Sequence, residues 1–170
     1  MNDELVTYFQ SPIGTLRITG SDKGVSSIGF IKNAASTGSI PNCLADAVRQ
    51  LTEYFAGARQ VFSFKLDLHG TEFQIKVWRY LLTIPFGKTQ SYLDVALALG
   101  DRKSIRAVGR ANGQNPIVIV VPCHRVIGSD GSLTGYGGGL WRKEWLLNFE
   151  GNRLQTPLFE THQVMVDVNR

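Results

Sequence analysis

Ile117–Gly128 reads IVIVVPCHRVIG. Five apolar residues run into a proline, and a cysteine and a histidine follow side by side. Ile117–Val121 has the composition of a buried strand. Pro122 brings no N–H to a ladder and ends it. Cys123 then falls at a strand end, where a rigid scaffold presents reactive groups. An inert alternative stands beside this reading, because free cysteines are commonly small buried hydrophobes. A nucleophilic Cys123 needs a base or a positive neighbourhood to gain thiolate character. His124 is the candidate base, yet adjacent residues of a strand face opposite ways. Either the chain turns sharply after Pro122 or a water relays the proton. The imidazole in turn needs an orienting group, and Glu150 is the candidate.

Upstream, the character of the chain changes at Thr71. Thr71 with Gln74 forms a capping-box pattern, and Phe73, Val77 and Leu81 make an apolar stripe up to Pro85. Ser91 with Asp94 caps a second helix, Tyr92–Leu99, stopped by Gly100. A third helix is expected over Arg102–Asn112, carrying Arg102, Lys103, Arg106 and Arg110. Two short helices joined by a tight turn have the outline of a helix-turn-helix, although many helix pairs bind nothing. Downstream, GSDGSLTGYGGG reads as a turn-rich loop rather than a nucleotide loop. Trp141–Glu150 reads as a last helix closed by Gly151, and residues 152–170 form a tail with no readable signal. Before Thr71, Leu5–Phe9, Thr15–Thr19 and Val25–Ile31 read as short strands, with a hairpin turn at Asp22–Gly24. Asn33–Asn42 is a small polar loop. Leu44, Val48, Leu51 and Phe55 recur at helical spacing before Gly57. FSFKLDL alternates as a half-buried strand. This first part shows a small sheet and a helix but no chemistry.

The chain has 170 residues, 43% hydrophobic and 19% charged, which suits one or two small globular domains. The sequence has no long apolar run and no basic-then-apolar leader at Met1, so neither a membrane span nor a secretory signal is expected. Two distant cysteines, Cys43 and Cys123, fit a reducing cytoplasm rather than a disulfide framework. There is no C-x-x-C and the histidines are scattered, so no metal site is expected. The net charge of +4 is unevenly placed. Residues 71–125 hold eight basic and three acidic residues, while 1–70 balance at six each. The positive excess leads into Cys123, as either an ordinary solvated helix face or a polyanion surface.

Taken together, PCHRV (122–126), the upstream NP (115–116), RAVGRANG (106–113), GYGGG (135–139) and RKEWLLNFEG (142–151) closely resemble the O6-alkylguanine-DNA alkyltransferases. The likeness is dense from Thr71 to Gly151. The first part is similar in general plan, including YFAG (54–57). The resemblance implies an RNase H-like α/β domain over 1–70 and a mainly helical, winged helix-turn-helix-like catalytic and DNA-binding domain over 71–151. It implies direct repair without a cofactor: a monomer that binds double-stranded DNA through the minor groove and flips out O6-alkylguanine. Cys123 takes the alkyl group irreversibly, once. His124 activates Cys123 through a water, Glu150 holds the imidazole, and Asn115 supports the turn at the nucleophile. Tyr92 hydrogen-bonds the guanine and crowds the phosphate backbone. Arg106 fills the gap left by the flipped base, beside Arg110 and the small residues Ser104 and Ala107 that let the helix approach. The backbones of Val126, Tyr136 and Gly137 line the pocket. Two departures stand out. Where relatives commonly read Pro-Lys-Ala-Ala-Arg, this chain has Arg102-Lys103-Ser104-Ile105-Arg106, so bulky Ile105 either packs inward or changes how the helix seats. Some relatives hold zinc in the first part, whereas here only Cys43 and His69 are suitable ligands. Two other readings are a lesion-binding sensor without transfer and an ordinary Cys-His hydrolase; the first replaces the reactive cysteine that this chain keeps.

Overall fold

The computed structural model describes residues 3–33, 35–36 and 38–155. Three antiparallel strands, β1 (Leu5–Ser11), β2 (Gly14–Ser21) and β3 (Gly24–Phe30), form a meander in chain order. The first hairpin closes at Ser11↔Gly14 and the second at Ser21↔Gly24, as the turn residues predict. Helix α1 (Asn42–Phe55) lies across the sheet and buries Leu44, Ala47, Leu51 and Tyr54 against Leu16, Ile18 and Ile28. It ends where Gly57 takes φ 78. The Gly57 N–H then reaches Tyr54 O (2.9 Å) and the Ala58 N–H reaches Glu53 O (2.8 Å), the paired bonds of a Schellman stop.

FSFKLDL is not a full strand. Its inward residues Phe62 and Phe64 are half-buried and Ser63 and Lys65 exposed, as the alternation predicts. Only one parallel bridge forms, Val25↔Leu66, through Val25 N–H to Lys65 O (2.9 Å) and Asp67 N–H to Val25 O (2.8 Å). Gly24 permits that approach. Its φ is 132, and a Cβ there would lie 2.8 Å from Lys65 O. Further along the same edge of β3, Ile28 bridges Ile117 through Ile28 N–H to Pro116 O (2.9 Å) and Val118 N–H to Ile28 O (3.0 Å). The segment before Cys123 is thus hung on the sheet of the first part.

Helices α2 (Glu72–Leu81), α3 (Tyr92–Ala98) and α4 (Ile105–Gly113) follow, the last preceded by a 3-10 turn, Arg102–Ser104. Both predicted capping boxes are formed, Thr71 with Gln74 and Ser91 with Asp94. Both α2 and α3 pack on α4, through Val77, Trp78, Val95, Ala96, Val108 and Ala111, and the Trp78 indole N–H donates to Ala111 O at 2.8 Å. Strands β4 (Gln90–Ser91) and β5 (Val126–Ile127) make a two-stranded parallel sheet. Helix α5 (Leu140–Gln155) runs through Gly151 instead of stopping there. Gly151 is not among the glycines with positive φ, so it carries the helix on rather than turning it into a left-handed cap. The apolar residues of both parts form one continuous core.

Candidate active site

Ile117–Val121 is a tight buried loop, not the strand its composition predicts. The Asn115 side chain clamps it at both ends: Oδ1 accepts from the Ile117 N–H (2.9 Å) and Nδ2 donates to Val121 O (2.7 Å). Inside the clamp the Val121 N–H returns to Ile117 O (3.0 Å) and the Val120 N–H to Val118 O (2.8 Å). The latter closes a turn around Ile119, whose φ is 73 although it is β-branched and fully buried. Such a conformation costs about 1–3 kcal/mol and persists only where surroundings enforce it. An inverse γ-turn follows, with Pro122 at φ −84, ψ 63 and the Cys123 N–H on Val121 O (2.8 Å). Cys123–Arg125 is then one 3-10 turn, and Asn112 Nδ2 donates to Cys123 O at 3.3 Å. The chain does turn sharply at Pro122, so the opposed faces of a strand place no restriction on Cys123 and His124.

Glu150 of α5 is the hub beneath this turn. Its Oε1 accepts from His124 Nε2, Arg125 Nη2 and Tyr54 OH, each at 2.8 Å. Its Oε2 accepts from Arg125 Nε at 2.8 Å and faces the Gly87 N–H at 3.5 Å. Burial alone would raise the Glu150 carboxyl, but His124 and the two-pronged Arg125 hold it well below the usual carboxylate range. His124 is completely buried, and that burial lowers its pKa against the pull of Glu150, with Arg125 and Lys143 adding to the fall. A neutral imidazole beside an ionised carboxylate carries its proton on Nε2, which leaves the Nδ1 lone pair free. Burial also pushes the Cys123 thiol up, against the pull of Asn115 and Lys143. The resting sulfur is therefore a thiol, and an attack needs a base. Lys143 is fully buried, donates to Val126 O (2.6 Å) and Thr134 O (3.0 Å), and lies 3.5 Å from Tyr92 OH.

A cavity of about 190 Å³ opens beside Cys123, walled by Asn112, Asn115, Tyr136, Gly137, Gly138 and, from the first part, Phe30. Arg142 fixes its glycine loop, donating to Gly138 O and Ile13 O at 2.6 Å each and stacking over Phe30 at 4.3 Å. Among the described residues, four buried side-chain polar atoms have no hydrogen-bond partner. Three surround this site: Asn112 Oδ1, His124 Nδ1 and Tyr136 OH. Buried polar groups are rarely left unpaired, so a cluster of three marks a place built for something else to bind.

The family description "6-O-methylguanine DNA methyltransferase, ribonuclease-like domain" matches residues 5–68, and "6-O-methylguanine DNA methyltransferase, DNA binding domain" matches residues 72–152. The chain belongs to the 6-O-methylguanine DNA methyltransferase family. It is 51% identical, over 82% of its length and 88% of the relative's, to the methylated-DNA–protein-cysteine methyltransferase of Mycolicibacterium paratuberculosis. The namesake from Methanosarcina barkeri is 44% identical over 86% of this chain and 96% of that one. Among solved structures, the O6-methylguanine methyltransferase of Mycobacterium tuberculosis superposes with a TM-score of 0.82 at 43% identity, over 92% of this chain and 96% of that one. A structure of the M. tuberculosis protein in complex with DNA gives 0.79 at 47%, over 86% and 92%.

In this member of the family, the residues expected to act together separate in space. Cys123, His124, Glu150 and Asn115 converge as described. Tyr136 and Gly137 line the cavity, whereas Val126 is buried behind it and meets Lys143 through its carbonyl. Tyr92 is half-buried outside the lining, donating to Thr134 O at 3.0 Å, with its ring next to Gly109 of α4. Arg106, Ala107 and Arg110 are exposed on α4, with half-buried Ser104 before it, while Val108, Ala111 and Asn112 face the core. Ile105 is 37% exposed and so does not pack inward. The sequence reading missed Tyr54, Asn112, Arg125, Lys143 and Phe30. Lys143, Leu146 and Glu150 lie at helical spacing on one buried face, which was a signal that Lys143 is no ordinary surface lysine. No helix among the described residues is long and apolar enough to cross a membrane.

Proposed function

We propose that the protein repairs DNA directly, taking the alkyl group of O6-alkylguanine onto Cys123 in one irreversible displacement. The observation that carries this is the trio of unpaired buried polar atoms around a half-enclosed cysteine cavity. An extruded, alkylated base supplies partners for Asn112 Oδ1 and Tyr136 OH, and a water between His124 Nδ1 and the thiol supplies the third. The thiol proton passes through that water to Nδ1 while Glu150 stabilises the imidazolium formed. The sulfur lone pair forms the S–C bond as the C–O6 bond breaks, and Tyr92 OH gives its proton to the departing guanine. The phenolate left on Tyr92 regains a proton from solvent as the His124 imidazolium gives one up, so the proton lost at sulfur equals the proton gained by guanine. Because the thioether has no hydrolytic exit here, each molecule reacts once.

Arg106 enters the gap left by the base, while Ser104, Ala107 and Arg110 meet the backbone along the minor groove. Extrusion costs a few kcal/mol, least for a damaged and poorly paired base. We assign residues 1–70 to a scaffold domain, 71–151 to the reacting and DNA-binding domain and 152–170 to a tail, in a monomeric cytoplasmic protein whose thiol the reducing compartment protects. The test is a titration of duplex containing O6-methylguanine into the protein. Repaired base should rise one for one with protein and then stop. Continued turnover points to a hydrolase, and tight binding with no repair points to a lesion sensor.

A further inference from the structure

We infer that Tyr54, a residue of the ribonuclease-like part, is a positioning residue for alkyl transfer, acting through Glu150 on His124. The inference rests on the reading of the site given above. Tyr54 sits on the last turn of α1, fixed there by the Schellman stop, and is completely buried. Its hydroxyl donates to Glu150 Oε1 at 2.8 Å, the same oxygen that accepts from His124 Nε2 at 2.8 Å. Burial and the Glu150 charge raise its own pKa well above normal, so the phenol stays protonated and can only donate to this carboxylate.

Three donors share Oε1, and each takes part of its charge. With the phenol present, the carboxylate orients the imidazole through Nε2 without holding an imidazolium at rest. The reacting form needs a neutral ring with Nδ1 open. The charged and titratable groups facing the pair are Arg125 from the same turn, Lys143 from α5, Cys123, and Tyr136 from the pocket loop. None of them replaces the phenol on Oε1, because Arg125 already uses Nη2 on Oε1, Nε on Oε2 and Nη1 on Ile84 O (2.7 Å). Tyr54 thereby carries the first part of the chain into the reaction although it touches neither sulfur nor cavity.

Tyr54→Phe is the test, since the ring's packing against Phe55, Phe62, Phe86 and Phe149 is kept. Without the phenol, Glu150 grips the imidazolium more strongly and His124 becomes more basic. The acid limb of single-turnover transfer from duplex O6-methylguanine should move up by about half to one pH unit, part of what one charge-assisted hydrogen bond is worth. Phe62→Leu loosens the same ring cluster but leaves the hydroxyl, so it should lower Tm and leave the limb in place. An unmoved limb in Tyr54→Phe overturns the inference, as does an equal shift in Phe62→Leu. Failure of the wild-type protein to take up any alkyl group would instead refute the transfer reading itself.

Discussion

Glu150→Gln tests the hub of the site. The substitution keeps the shape of the side chain and changes one oxygen into an N–H donor. Three side chains make four bonds to the carboxylate at 2.8 Å: His124 and Tyr54 to Oε1, and Arg125 to both oxygens. An amide can keep Oε1 for His124, Tyr54 and Arg125 Nη2, but its NH2 then meets the Arg125 Nε–H and the Gly87 N–H. Donor faces donor, and the Arg125 guanidinium, only 6% exposed, loses its counter-charge. Breaking a buried pair from one side costs about 3–5 kcal/mol. For a chain of this size that is a fall in Tm of about 6–20 °C. Transfer should slow by about 10–100-fold, because the imidazolium formed during attack is no longer stabilised. Thermal unfolding and single-turnover methyl transfer, measured on the same preparation below its Tm, read both effects. A variant within about 2 °C of the wild type in Tm would contradict the buried-pair account. An unchanged rate would show that His124 is oriented by something other than Glu150.

Stability should fall on acidification in two stages. The neutral buried His124 has a lowered pKa, so the unfolded chain binds the extra proton first, as pH drops through the ordinary histidine range. Glu150, also lowered, adds a second loss as pH drops through the ordinary carboxylate range, and urea melts across pH should show both. Asn115→Ala removes both clamps of the Ile117–Val121 loop and should cost about 2–4 kcal/mol by denaturant unfolding, with transfer reduced even where the protein is folded; a loss under about 0.5 kcal/mol would mean that the loop holds its own shape. Arg106→Ala should slow repair in duplex DNA far more than it weakens binding, and leave reaction with free O6-methylguanine nearly unchanged. Equal losses on free base and duplex would make Arg106 structural.

The parts of the fold legible in the sequence were those set by local chemistry. The two capping boxes, the Gly57 stop and the β hairpins each follow from side chains that bond their own backbone or permit a left-handed turn. Ile117–Val121 misled because five β-branched residues, four of them buried, suit a core strand and a core loop equally. Only the contacts decide: Asn115, a residue outside the run, satisfies the ends, and one strained Ile119 closes the turn. FSFKLDL showed its burial correctly but not its pairing, since a single bridge to Val25 depends on the position of β3. The motifs PCHRV and RKEWLLNFEG displayed Cys123, His124 and Glu150, which the fold brings together. Tyr54 and Phe30 stayed hidden because their roles arise from long-range packing, across 96 residues in the bond from Tyr54 to Glu150. Arg125 and Lys143 look like solvated charges until the fold buries them.

The most direct test of the account is the mass of the protein after reaction with duplex DNA carrying O6-methylguanine, followed by peptide mapping. The account predicts one added methyl per molecule, stable over time and carried entirely by the peptide containing Cys123, with none after Cys123→Ser. Methyl on the peptide containing Cys43, or repaired DNA with the protein mass unchanged, would contradict it.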